Sequence, residues 1–217
     1  MIKCKNKIIS YISPTIQFIL AVTTLLLTLT LSREQNKISK LEYSPVFILS
    51  IDQLFRKDYT PTHSEKFDIL NEGYSVNNYD YNLHSIMNIK HTLNNRSYEK
   101  KFFVDYFSVQ SKKSGGKDRM SGGIGEDNIM MFRELTQSII KSLNKKGITL
   151  LNIELHHHTK ISYSDTDLND NFVYFTDSKR VKEDEYKKEL AGADTFYTIS
   201  LYNPKIDEIV STTLKSN

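Results

Sequence analysis

The side chains with the greatest capacity for chemistry gather between Glu154 and Asn171. In the run Ile148 to Tyr163 (ITLLNIELHHHTKISY), strand alternation places Glu154, His156 and His158 on one face. Two imidazoles and a carboxylate in that order form a workable zinc or iron triad. His63, His84 or His91 would supply a third imidazole, and the sequence does not choose among them. The same residues also read as the polar face of a strand. Asp165, Asp167 and Asn169 follow at positions 1, 3 and 5 of a calcium loop, where alternating oxygens converge on a hard cation. The match stops there: Asp170 stands where that loop needs Gly, and Thr176 where it needs Glu. A hairpin turn rich in Asp and Asn accounts for the same stretch.

A third candidate is the Gly-rich, basic segment Ser111 to Asn128 (SKKSGGKDRMSGGIGEDN). Read as a loop, it offers Lys112, Lys113, Lys117 and Arg119 to an anion, beside the free N–H groups of a helix start near Asn128. It lacks the G-x-x-x-x-G-K-[ST] of a phosphate loop. Tyr74, Tyr79 and Tyr81 would form a recognition patch or pack over a sheet edge. No G-x-S-x-G, H-E-x-x-H or kinase signature occurs. The one cysteine, Cys4, lies near the N-terminus, so the segments described above have no disulfide and no thiolate ligand.

These groups stand behind an apolar stretch. Ile8 to Leu31 (IISYISPTIQFILAVTTLLLTLTL) carries no charged residue and reads as one membrane-spanning stretch, its helix starting at Pro14 with Ser13 as cap. The chain divides into a basic tail (1–7), the span (8–31), a polar stem (32–44) and a soluble domain (45–217). The run is longer than a signal-peptide core and no A-x-A site follows it, so an uncleaved anchor is expected. Gln17, Ala21, Thr24 and Thr28 make a small, polar stripe suited to helix packing within the bilayer, unless the threonines bond back to their own helix. Lys3, Lys5 and Lys7 before the span tie with Arg33, Lys37 and Lys40 after it. The short basic tail favours N-inside with an extracytoplasmic domain, and the opposite orientation stays open.

The domain alternates between strand and helix signals. Val46 to Phe55, Lys66 to Leu70, Val76 to His91, Lys101 to Gln110, Ile148 to Tyr163, Phe172 to Thr176 and Thr195 to Tyr202 read as strands, with a turn at Asn71-Glu72-Gly73. Ile129 to Lys146 is an amphipathic helix with a stripe of Ile129, Phe132, Leu135, Ile139 and Leu143, capped by Asp127 or Asn128 and closed by Gly147. Arg180 to Leu190 reads as a shorter helix, and Lys205 to Lys215 as a short amphipathic helix or a fraying tail. The expected fold class is α+β: a transmembrane helix, then a mainly antiparallel β-sandwich-like domain with one long helix and one or two short ones. Leu41 to Leu83, with its Pro45-led strand and the Asn71-Glu72-Gly73 ending, loosely resembles uncharacterised single-pass bacterial membrane proteins with a small β-sandwich. The resemblance implies no activity.

With 25% charged residues, a net charge of +3 and cations scattered among acids, no nucleic-acid partner is expected. The expected role is a tethered, non-enzymatic module that holds a protein partner, or a second copy of itself, at the bilayer, without a cofactor. Two alternatives stand beside it: a metal-dependent enzyme or calcium module built on the His156/His158 or Asp165/Asp167 cluster, and an accessory subunit docked through the Gln17–Thr28 stripe.

Overall fold

The computed structural model describes residues 2–42, 44–93, 96–165 and 168–215. The chain forms two units, Met1–Ser44 and Pro45–Asn217. The first is a helix, α1 (Ile2–Glu42), that runs through Pro14. Its start therefore lies upstream of the position the proline suggests. Within it, Ile16–Asn36 is apolar and exposed, with a mean hydropathy of 1.6. At about 1.5 Å per residue, those 21 residues reach about 30 Å, the thickness of a hydrocarbon core. The Thr24 and Thr28 hydroxyls donate to the carbonyls of Leu20 and Thr24, each at 2.8 Å.

The second unit is α+β, with a mostly antiparallel, sandwich-like arrangement of strands. It contains β1 (Phe47–Phe55), β2 (Pro61–Leu93), β3 (Arg96–Asp105), β4 (Ser108–Lys112), β5 (Gly116–Gly125), α2 (Asn128–Lys145), β6 (Thr149–Ser164), β7 (Asp170–Thr176), β8 (Lys179–Val181), α3 (Glu183–Leu190), β9 (Ala193–Ser200) and α4 (Ile206–Leu214). The organising element is β2. Its first part pairs with β1 on one side and β5 on the other, and β4 lies beyond β5. Its second part pairs with β3 and β6, which continue to β9 on one flank and to β7 and β8 on the other. One strand thus belongs to two sheets.

Asn71-Glu72-Gly73 does not end the strand as its composition suggests. Asn71 is fully buried and its side chain ties down an irregular stretch. Its amide donates to the carbonyls of Tyr74 (2.7 Å) and Gly116 (3.2 Å), and its oxygen accepts from the N–H of Val46 (3.2 Å) and Gly73 (3.1 Å). The turn-forming residues thus build a bulge in a continuous strand, and the pairing with β5 shifts register there. A second irregularity follows at Asn78, whose φ is +48°, where the register with β6 shifts.

The Gly-rich segment is likewise ordered as β4 and β5 rather than open loop. A Cβ at Gly123 would strike the Ser108 carbonyl and the Phe67 ring; one at Gly125 would strike Asn128 and the Tyr106 carbonyl. The glycines let neighbouring backbone and rings close down on the strand.

Two apolar clusters lie on one face of the larger sheet. At one end Tyr79, Tyr81, Ile161 and Val173 meet Phe47, Leu49, Phe67, Ile69 and Met120 of the smaller sheet. At the other end Met87, Ile89, Phe102 and Val104 meet Leu135, Ile139 and Leu143 of α2 and Ile209 and Val210 of α4. The N-terminus of α2 departs from its expected capping. Asp127, at φ +51°, makes no side-chain cap, and Asn128 instead accepts the N–H of Glu65 at 3.0 Å. Helix α2 is thereby pinned to β2. Its other end closes as expected at Gly147, whose N–H donates to the Asn144 carbonyl.

Candidate functional site

The face of the larger sheet opposite the two clusters mixes polar groups with Ile86, Phe103 and Tyr174. Strand register places His84 opposite His158, Ile86 opposite His156, and Asn88 opposite Glu154. Glu154, His156 and His158 therefore do share a face, as alternation requires. Each is engaged. Glu154 accepts from Lys90 Nζ at 2.9 Å and from the Asn152 amide at 2.7 Å, and the Lys90 bond holds its carboxyl below the usual range. His156 Nδ1 lies 3.0 Å from Asp177 Oδ2, and its Nε2 lies 3.9 Å from Glu154 Oε2. His158 Nδ1 meets the Thr176 hydroxyl at 3.1 Å. The His156 and His158 ring centroids are 6.4 Å apart, and Tyr186 of α3 stands 6.3 Å from His158. Burial lowers the His158 imidazole to about 4. His84 turns edge-on to Phe103, while His91, on the cluster-facing side, stacks on Tyr98. His63 is exposed on the first part of β2. Among the described residues no group of three or more His, Cys, Asp or Glu is arranged to hold a metal ion.

Sequence alternation left one pair unremarked. His157 points to the opposite face, where its Nδ1 meets Ser85 Oγ at 2.9 Å. Both side chains are buried at the seam between the two apolar clusters, with the Tyr106 and Phe107 rings 5.0 and 5.1 Å from the imidazole. Burial lowers His157 to about 4, so it is neutral near pH 7. A serine beside a neutral imidazole is the beginning of a nucleophile–base pair. Asp177, however, accepts the backbone N–H of His157 at 2.8 Å and touches the ring of His156 instead. Ser85 sits in mid-strand, with about 3% of its surface exposed, at the margin of a groove of about 640 Å³ lined also by Leu83, His84, Phe103 and Thr198. The pair is built as a polar bridge within the core.

The β6–β7 turn draws its oxygens inward. Asp165 accepts from the Asn169 backbone N–H at 2.9 Å and from the Asn171 amide at 3.2 Å. Asp167 lies outside the described residues. In the β4–β5 region Arg119 and Lys66 both pair with Asp68, at 2.6 and 3.1 Å. Lys112 pairs with Asp80, and Lys113 Nζ donates to the Lys117 carbonyl. The four cations are thus spread along a hairpin, with Lys112, Lys113 and Arg119 each bonded to a neighbour, rather than gathered at the N-terminus of α2. Tyr79 and Tyr81 are buried, the Tyr79 hydroxyl donating to Ser121 Oγ at 3.1 Å, and Tyr74 is exposed.

A comparison with known protein families, with curated proteins and with solved structures finds no match to this chain.

Proposed function

We propose that the chain is a membrane-anchored, non-enzymatic binding module. Segment Ile16–Asn36 spans the bilayer, and residues 45–217 form an extracytoplasmic domain that engages a protein partner or a second copy. The observation that carries this reading is Ile16–Asn36 itself, a helical segment long enough to cross a membrane and exposed throughout. In the Gln17–Ala21–Thr24–Thr28 stripe the Thr24 and Thr28 hydroxyls bond back to their own helix, so the stripe offers a neighbouring helix small side chains rather than free hydroxyls. The test is fractionation of the full chain. Anchoring requires that it stay with membranes through alkaline carbonate and leave only with detergent. Release by carbonate would refute it. Protease added to intact cells should digest the domain; protection would reverse the orientation.

A further inference from the structure

The β1–β2 hairpin ends in Phe55-Arg56-Lys57-Asp58-Tyr59. A turn closes it, with the Tyr59 N–H donating to the Arg56 carbonyl (3.0 Å) and the Arg56 N–H to the Thr60 carbonyl (2.9 Å). Tyr59 occupies the left-handed position of this turn, at φ +60°, where glycine or asparagine is the ordinary choice. The residue placed there is 87% exposed, and Phe55 beside it is 61% exposed. Asp58 turns inward: its Oδ1 accepts from the Thr60 hydroxyl at 2.7 Å and the Thr60 N–H at 3.1 Å. These bonds favour the ionised carboxylate, which stays exposed, so Arg56, Lys57 and Asp58 together leave the tip with a net charge of +1. Arg56 and Lys57 make no ion pair among the described residues. Further bonds brace the base, from Gln53 Nε2 to the Thr62 carbonyl and from the Thr62 hydroxyl to the Leu54 carbonyl. The result is a stiff tip that presents two aromatic rings and two cations to solvent.

We propose that this tip is a second membrane contact, resting on the anionic lipid surface of the bilayer that α1 spans. The inference rests on the anchored reading above. Aromatic rings favour the headgroup region, where an apolar body and a polar edge are both accommodated. Each cation near an anionic surface adds about 1 kcal/mol, and the exposed Asp58 offsets part of it. That total is weak for a free protein. Only residues 37–46 separate the apolar segment from β1, so the tether holds the bilayer surface at high local concentration, and a weak contact becomes populated.

The chain has no tryptophan, so Tyr59→Trp introduces a unique fluorophore. The full-length variant is reconstituted into phosphatidylcholine vesicles with and without phosphatidylglycerol, with bromine on the acyl chains as quencher. The expected result is a blue-shifted indole quenched by about half in the anionic vesicles, with the quenching lost on Arg56→Glu plus Lys57→Glu or at high salt. Phe55→Trp should report the same contact should Tyr59→Trp disturb the turn. Flotation with the vesicles and no bromine quenching at either tip position overturns the inference alone. Shielding from aqueous acrylamide without bromine quenching assigns the tip to contact with a second copy of the chain and also overturns it. Failure to float overturns the anchor, and the inference with it.

Discussion

Removing the Ser85 hydroxyl would strand His157 Nδ1 in the core, 2.9 Å from nothing that can answer it. Ser85→Ala should therefore cost about 1–3 kcal/mol in chemical denaturation, and Ser85→Ala with His157→Phe less than the sum of the singles. An unchanged midpoint in the single variant would show the pair to be unimportant for stability. Burial also ties this residue to pH. His157 and His158 titrate near 4 in the folded domain and near 6.5 when unfolded. Between those values the unfolded chain binds more protons, so the stability is complete above about 6.5 and drains away as pH falls toward 4. Each imidazole contributes up to about 3 kcal/mol over that window. Urea midpoints should drop between pH 7 and pH 5, and His157→Phe should flatten the drop; parallel curves would count against this assignment. The sequence made the shared face of Glu154, His156 and His158 legible through simple alternation. It concealed the partners Thr176 and Asp177, which arrive from the next strand and its turn, and it concealed Ser85, whose contact with His157 spans 72 positions.

At the scale of elements, the Gly-rich run is where composition and structure part most sharply. Glycine erases the alternation by which a strand is recognised, so Gly116–Gly125 reads as loop. Its glycines are instead places where other backbone and rings come close. Gly125→Ala should cost about 2–4 kcal/mol, because Asn128 and the Tyr106 carbonyl would both have to move and α2 hangs from Asn128. Thermal denaturation measures this directly, and a neutral substitution would mean the helix start is free to shift. Helix α2 was legible because a 3.6-residue stripe survives any context: Leu135, Ile139 and Leu143 are all buried. The continuity of β2 was not, because Asn71, Glu72 and Gly73 are chemically a turn. Only the contacts of Asn71 with Val46, Tyr74 and Gly116 convert them into a bulge.

For the whole molecule, one strand shared between two sheets forbids independent halves. Residues 45–217 should unfold in one cooperative transition, with far-ultraviolet circular dichroism and tyrosine fluorescence coincident in urea. Two separated transitions would mean that the bend near Asn78 uncouples the sheets. The α+β class was readable from the order of strand and helix signals, whereas the sharing of β2 depends on register shifts that no local pattern encodes. That sharing also bears on how the protein is made. As the chain leaves the ribosome, β1 and β3 can pair with β2 at once, but the other flank of its second part must wait for β6, which begins at Thr149. Until then a long strand stands with an open edge, an invitation to pair with a neighbouring nascent chain. Synthesis of this protein therefore passes through an interval in which a chaperone, or sparse packing of ribosomes along the message, decides how much of it reaches the folded state.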